Sequence, residues 1–307
     1  MSPPLLVRTR WELTAAVAPA RAEGRRIGFV PTMGVLHEGH ASLMRVARDR
    51  VGSGPVVASV FVNPLQFGAG EDLDRYPRTL DADLDLCAGE GVDVVFAPSV
   101  EEVYPDGEPE VRLDPGPKAA VLEGRSRPGH FAGMLVVVAK LFGLVRPDLA
   151  VFGEKDYQQL VLVRRMVTDL CLGVEVVGAP TLREPDGLAM SSRNRYLDEE
   201  QRIEATVLHR ALRAAQLEAR YGVAVGLDAA RAELRTAQTV DLEHLEVAAP
   251  DPGPLPAAAP IGAEARILVA ARIGTTRLID NLPLLLGVEK QPAPAPAPPA
   301  AIQGGPR

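Results

Sequence analysis

The chain is poor in several features that would otherwise steer its reading. Only two cysteines and one tryptophan occur in 307 residues, and aromatic residues make up 4% of the composition. Cys87 and Cys171 both lie in apolar, helix-patterned context, so they read as core residues rather than a disulfide or a metal pair. Long hydrophobic runs are missing. The most apolar segment, residues 134–145, is interrupted by Lys140 and is too short to span a bilayer. The first six residues lack a charged n-region and an apolar h-region, so no secretory leader is expected and a cytoplasmic location is. Basic runs are missing as well. With 40 acidic against 33 basic residues and a net charge of −7, the chain has little with which to neutralise the phosphates of a nucleic-acid partner. There is no Gly-Lys dipeptide, which rules out a phosphate loop of the Walker type. A small-molecule enzyme with neither a membrane nor a nucleic-acid partner fits these absences.

What is present is an ordinary globular composition, 47% hydrophobic and 24% charged, long enough for two domains or one with a large appendage. Up to residue 180, strand-like and helix-like segments alternate. Strands are expected at residues 27–30, 56–62, 92–96, 149–152 and 174–177, and helices at 40–50, 80–89, 131–145 and 155–172. That rhythm predicts an α/β fold, a parallel sheet with helices on both faces, in which ligands bind beyond the carboxyl ends of the strands. The pattern changes near residues 180–195. Asp198, with Gln201 three positions on, predicts the N-cap of a long helix over 199–220. A further helix is expected at 227–237, strands at 242–247 and 266–273, and a Pro/Ala-rich loop at 250–260. These elements would form a smaller α+β unit able to act as a lid. The division is therefore 1–180, 181–290 and, from its Pro/Ala bias, a disordered tail at 291–307.

The sharpest local pattern is the decapeptide Pro31-Thr32-Met33-Gly34-Val35-Leu36-His37-Glu38-Gly39-His40, set between the first expected strand and a helical run. A helix N-terminus carries outward N–H groups and positive dipole charge, which suit phosphate. Histidine adds donors that can follow charge developing in nucleotidyl chemistry. The spacing is not that of a metalloprotease His-Glu-x-x-His helix. On the decapeptide alone, a pair of capping or packing histidines stays open.

Four more segments accompany it: Phe61-Val62-Asn63-Pro64-Leu65-Gln66-Phe67-Gly68, Glu71-Asp72-Leu73-Asp74-Arg75-Tyr76-Pro77-Arg78-Thr79, Phe152-Gly153-Glu154-Lys155-Asp156-Tyr157-Gln158-Gln159-Leu160 and Met190-Ser191-Ser192-Arg193-Asn194. In order and spacing they resemble the pantoate–β-alanine ligase family, over roughly residues 5–288; five linked motifs are far more specific than one. The resemblance implies a Rossmann-like nucleotidyltransferase domain at 1–180 that binds ATP and pantoate, a smaller α+β lid domain at 181–290, and a homodimer. It implies ATP and Mg2+, and a reaction in which ATP, pantoate and β-alanine give pantothenate, AMP and diphosphate through pantoyl adenylate. No covalent enzyme intermediate is required, in keeping with the lack of a Ser-His-Asp or reactive-Cys arrangement.

The same resemblance assigns roles. His37 and His40 would donate to the triphosphate, with His40 as the acid, and Gly39 would leave room for the nucleotide. Met33 and Gly34 would line the adenylate, with Val35, Leu36 and Glu38 completing the ATP-binding loop. Lys155 would contact phosphate between Gly153, Glu154 and Asp156. Ser191, Ser192 and Arg193 would close over the β- and γ-phosphates, with Met190 in the same wall, and Leu182 would meet adenine through its backbone. Gln66 and Gln159 would bind pantoate, supported by Asn63, and His130 falls near that pocket. The acidic run Asp81-Ala82-Asp83-Leu84-Asp85 reads as a solvated helix face in preference to a metal site. Ala41, Met44 and Ala82 depart mildly from the family pattern, leaving packing and metal detail open. An adenylyltransferase without amide formation is the leading alternative, and the Asn63, Gln66 and Gln159 set favours the ligase.

Overall fold

The computed structural model describes residues 3–68, 73, 76–255 and 260–287. The expected tail at 291–307 and four residues of the third motif, Glu71, Asp72, Asp74 and Arg75, lie outside the described residues. The chain begins with β1 (Leu5–Val7), α1 (Arg10–Ala22), β2 (Gly28–Thr32), α2 (Glu38–Val51) and β3 (Val56–Val60). There follow α3 (Leu80–Gly89), β4 (Val94–Phe96), the short α4 (Val100–Val103) and α5 (Glu123–Ser126), α6 (His130–Val145), β5 (Leu149–Gly153), α7 (Tyr157–Asp169) and β6 (Glu175–Ala179). The six strands form one parallel sheet in the order β1-β4-β3-β2-β5-β6.

Both faces of the sheet are covered, as a parallel sheet requires. On one face Phe29, Val57 and Phe96 pack with Leu13 and Val17 of α1, Phe142 of α6 and Leu160 of α7. On the other, Val30, Ala58 and Val151 pack with Leu43, Met44 and Ala47 of α2 and Cys87 of α3. The chain leaves β2 for β3 and β4 on one side and returns to β5 on the other. The carboxyl ends of β2 and β5 therefore flank a topological switch point, where open α/β sheets bind ligands.

The remaining elements are α8 (Glu199–Ala205), α9 (Val207–Glu218), α10 (Val223–Leu234), β7 (Val240–Ala248), β8 (Ala263–Ile273) and β9 (Thr276–Leu286). The three strands form an antiparallel sheet, β7-β8-β9. A separate apolar cluster joins it to α9 and α10 through Leu208, Leu212, Ala230, Ile267, Val269 and Leu278.

Several expectations need correction. The single helix over 199–220 is two, α8 and α9, broken at Thr206, whose hydroxyl donates to the Ile203 carbonyl at 2.7 Å. Such back-bonding bends helices. The helix expected at 227–237 starts earlier, directly after Gly222, whose φ of 124° suits glycine. Asp198 and Gln201 do form the capping box at the start of α8. Cys87 is buried, but Cys171 is exposed. It sits in the turn after α7 at φ 52°, beside the exposed Leu170 and Leu172. Five of these elements, β1, α1, the short α4 and α5, and β9, are not among those expected from the sequence. No helix among the described residues is long and apolar enough to cross a membrane.

Tight backbone contact sets one element of the site. A Cβ on Gly133 of α6 would lie 1.9 Å from the Leu65 carbonyl oxygen, and Asn63 Nδ2 donates to the Gly133 carbonyl at 3.1 Å. Gly133→Ala is expected to cost about 1–3 kcal/mol through overpacking, measured as a lower denaturation midpoint, with displacement of the Pro64–Gln66 turn.

Candidate active site

A cleft of about 250 Å³ opens at the carboxyl ends of β2 and β5. Its floor is apolar, with Met134, Val137, Val138 and Leu141 of α6, and its rim is polar. The loop after β2 and the first turn of α2 supply Met33, His37, Gly39 and His40, and the end of β5 with the segment after it supplies Gly153, Lys155, Asp156 and Gln159. Leu182, Met190, Ser191, Ser192 and Arg193 complete a third wall, and Asn63 and Gln66 a fourth.

The histidines are capping residues and cleft residues at once. His37 is the N-cap of α2: its Nδ1 accepts from Gly39 N at 3.1 Å, while His40 Nδ1 accepts from His37 N at 3.3 Å. An imidazole nitrogen that accepts cannot carry a proton, so each neutral ring bears its hydrogen on Nε2. The capping of one helix thus assigns both tautomers. The rings lie 4.2 Å apart between centroids. Burial, then the positive charges of Lys155 and Arg195, push His37 down to about 4. Burial, then His37 and Lys155, push His40 down to about 3. At neutral pH His40 is therefore an uncharged ring that presents its N–H at Nε2. A Cβ on Gly39 would fall 2.8 Å from His37 Cε1, so this glycine is demanded by the capping ring itself.

Asp83 holds the approach to this cap. Contrary to the solvated face read from its acidic run, it is only 2% exposed. Its carboxylate accepts from Val35 N at 3.2 Å and Leu36 N at 2.7 Å, and from Thr79 Oγ1 at 3.3 Å. Val35 has φ 54°, a costly conformation for a β-branched residue. The two charge-assisted hydrogen bonds hold the loop in it.

The amide wall is equally interlocked. Asn63 Oδ1 accepts from Tyr104 Oη at 2.8 Å, and its Nδ2 donates to Gln66 Oε1 at 3.2 Å. Gln66 Nε2 faces Met33 Sδ at 3.0 Å, a weak acceptor that a ligand oxygen would better. His130 Nδ1 meets the Gln66 carbonyl at 2.8 Å, steadying the same turn from α6.

Of the residues expected in the site, Gly34, Val35, Leu36, Glu38 and Glu154 do not line the cleft. Gly34, Val35 and Leu36 shape the loop beneath it. Glu38 is exposed and pairs with Arg45, and Glu154 pairs with Arg266 at 3.2 Å. The Leu182 carbonyl accepts from Met190 N at 3.0 Å, closing a small hairpin that carries Ser191 and Ser192. Sequence reasoning missed Asp83 as the holder of the loop, Tyr104 behind Asn63 and the α6 floor. The apolar face of α6 was the available signal for that floor.

A parallel sheet whose switch-point crevice is lined by a helix-capping histidine pair, a lysine turn and a serine-arginine loop defines a Rossmann-like, phosphate-ligand enzyme class. Residues 5–283 match the pantoate-β-alanine ligase family. The chain belongs to that family. It is 66% identical over 302 residues to a pantothenate synthetase of Nocardioides sp. JS614, covering 97% of this chain and 90% of that one. The crystal structure of pantothenate synthetase from Thermus thermophilus superposes with a TM-score of 0.83 at 51% identity, covering 91% of this chain and 98% of that one. The pantoate-β-alanine ligase of Francisella tularensis, complexed with β-γ ATP and β-alanine, superposes at 0.75 with 34% identity, covering 91% and 97%.

The capping loop makes the site sensitive to pH in a defined direction. Both histidines have folded-state values below the ordinary 6.5. The unfolded chain therefore binds more protons between those values and 6.5, and stability rises with pH across that window. Their contribution is complete above pH 6.5 and is lost as pH falls through about 4 and 3. Imidazole NMR signals of His37 and His40 should titrate below about pH 5; a solvent-like midpoint for either ring would contradict the capping tautomers. Asp83→Ala leaves two backbone N–H groups without their acceptor and should cost about 1–3 kcal/mol, read by urea unfolding.

Proposed function

We propose that this chain condenses pantoate with β-alanine, using ATP and releasing AMP and diphosphate. A pantoate carboxylate oxygen attacks the α-phosphorus, the bond to the β-phosphate bridging oxygen breaks, and diphosphate leaves with that electron pair. The β-alanine amine then attacks the carbonyl of the pantoyl adenylate, loses a proton, and expels AMP. The observation that carries this reading is the pair of neutral Nε2–H donors at the start of α2, in one cleft with Lys155, Ser191, Ser192 and Arg193 and with the amides of Gln66 and Gln159.

In this reading His37 and His40 donate hydrogen bonds to the α-phosphate as its negative charge grows, an interaction strongest in the transition state. Neutrality has a benefit here: the rings donate without giving up the proton to a leaving group that does not need it. Lys155 supplies a point charge on the β- and γ-phosphates, and Ser191, Ser192 and Arg193 bind the same groups from the opposite wall. Leu182 and Met190 border adenine. Gln66, held by Asn63, and Gln159 take the pantoate hydroxyl and carboxylate.

Magnesium would accompany the triphosphate, held mainly by phosphate oxygens and water. Among the described residues no cluster of three or more His, Cys, Asp or Glu could hold a metal. Asp83 spends both oxygens on backbone N–H groups, leaving Asp156 as the carboxylate bordering the cleft. The cation would neutralise phosphate charge there and so ease attack by an anionic carboxylate. We further assign residues 1–180 to ATP and pantoate and 181–290 to a smaller domain, with a homodimeric, cytoplasmic enzyme as the family resemblance implies.

Incubation with ATP, magnesium and D-pantoate, with and without β-alanine, tests the reaction. Equimolar AMP and pantothenate, formed only with all substrates, is the expected outcome. Diphosphate without β-alanine-dependent amide would indicate an adenylyltransferase instead. In the same assay His40→Ala should lower kcat by about 10²–10³.

A further inference from the structure

Two walls of the cleft, the lysine turn and the serine-arginine loop, are both fastened to one dipeptide of β9. Asp280 and Asn281 are 4% and 3% exposed. The Asp280 carboxylate takes the guanidinium of Arg183 in a two-point contact, Nη1 to Oδ2 at 2.6 Å and Nη2 to Oδ1 at 2.9 Å. Arg183 Nη1 also donates to the Gly187 carbonyl at 3.1 Å, so this pair grips the hairpin that leads into Met190–Arg193. Asn281 Nδ2 donates to the carbonyls of Glu154, at 3.0 Å, and Lys155, at 2.9 Å. It thereby holds the backbone of the lysine turn. Its Oδ1 accepts from Arg266, which also pairs with Glu154 and lies 3.7 Å over the Tyr157 ring. A cation on one side and two carbonyls on the other leave only one orientation for the carboxamide.

The two grips are themselves joined. Asp280 Oδ1 accepts from Asn281 N at 2.7 Å, so the carboxylate that holds Arg183 is fixed relative to the residue that holds Lys155. Asp280 and Asn281 also border a smaller cavity, about 60 Å³, that shares Lys155, Asp156, Gln159, Ser191 and Arg193 with the main cleft. The dipeptide thus lies directly behind both walls.

We infer that Asp280 and Asn281 are positioning residues that set the separation of Lys155 from the Ser191–Arg193 loop. Resting on the function proposed above, this makes the three-stranded sheet a fixed frame for the phosphate walls. The lid expected from the sequence is then confined to the hairpin and loop that the frame carries. Neither side chain lines the main cleft. Their effect reaches the reaction through the spacing of groups that do.

Near-isosteric variants separate this role from simple support. Asn281→Asp keeps the acceptor for Arg266 but replaces the donor with an oxygen facing two carbonyls. Asp280→Asn keeps the shape and removes the charge that Arg183 needs. The adenylation half-reaction is read alone by pantoate-dependent exchange of labelled diphosphate into ATP. Each variant is expected to lower kcat of exchange by about 10–100-fold, as displaced catalytic groups do. KM for pantoate should change much less than kcat, because Asn63 and Gln66 are untouched and of the pantoate groups only Gln159 lies on the held segment. The double variant should lose less than the product of the two single losses, because both act on one spacing. An unchanged kcat with a lowered unfolding midpoint would overturn the inference, as would a loss confined to KM for pantoate. If Asn281→Asp fails to fold, Arg183→Lys carries the test: it keeps the charge, loses the two-point contact and should show the same fall in kcat. Failure of the unaltered enzyme to exchange diphosphate would instead strike at the proposed function, so the two failures are distinguishable.

Discussion

The first turn of α2 is the feature around which the whole site is built. Every helix starts with backbone N–H groups that have no partner within it. Most proteins satisfy them with a serine or an aspartate. Here the acceptors are imidazole nitrogens of His37 and His40, and that choice has consequences well beyond the helix. Accepting at Nδ1 places both hydrogens on Nε2, requires both rings to be neutral, and forbids a Cβ at position 39. The cap and the donor pair are one structure.

Around that turn the protein arranges support in layers. Asp83, from a helix on the far side of the loop, holds the strained Val35 so that the chain leaves β2 in the right direction. Tyr104, through the capping Asn63, and His130 hold the Gln66 turn from two other parts of the chain. Asp280 and Asn281 hold two walls from the second sheet. In each case a buried polar group that would be costly unpaired is satisfied by the backbone of a cleft loop or by a side chain that grips it. Stability and alignment of the site therefore draw on the same hydrogen bonds.

Much of the architecture is legible in the sequence because its signals are local. The apolar runs of β2, β3 and β5 and the spacing in α3 and α6 announce themselves, and the switch-point crevice follows from their alternation. The five motifs likewise name most residues that border the cleft. What escapes is of another kind. The strand β9 carries Asp280, Asn281 and Pro283 within it, so its alternation is masked by two residues that grip the cleft walls and by a proline. Cys171 reads as core because Leu170 and Leu172 flank it, although the chain turns outward there with φ 52°. Asp83 reads as solvated because acidic neighbours surround it, and only its position in α3 turns it inward.

Periodicity and short motifs act over a few residues. They are enough to set the class of sheet, the order of its elements, and the residue types delivered to the carboxyl ends of β2 and β5. Folding in three dimensions settles the rest: the burial and charge states of the histidines, the inward role of Asp83, and the attachment of both phosphate walls to one dipeptide of β9. Those depend on contacts between residues as far apart as Lys155 and Asn281, or Leu36 and Asp83. Burial, charge and hydrogen-bond partnership at such distances are set by how the layers pack, and no local pattern in the chain encodes them.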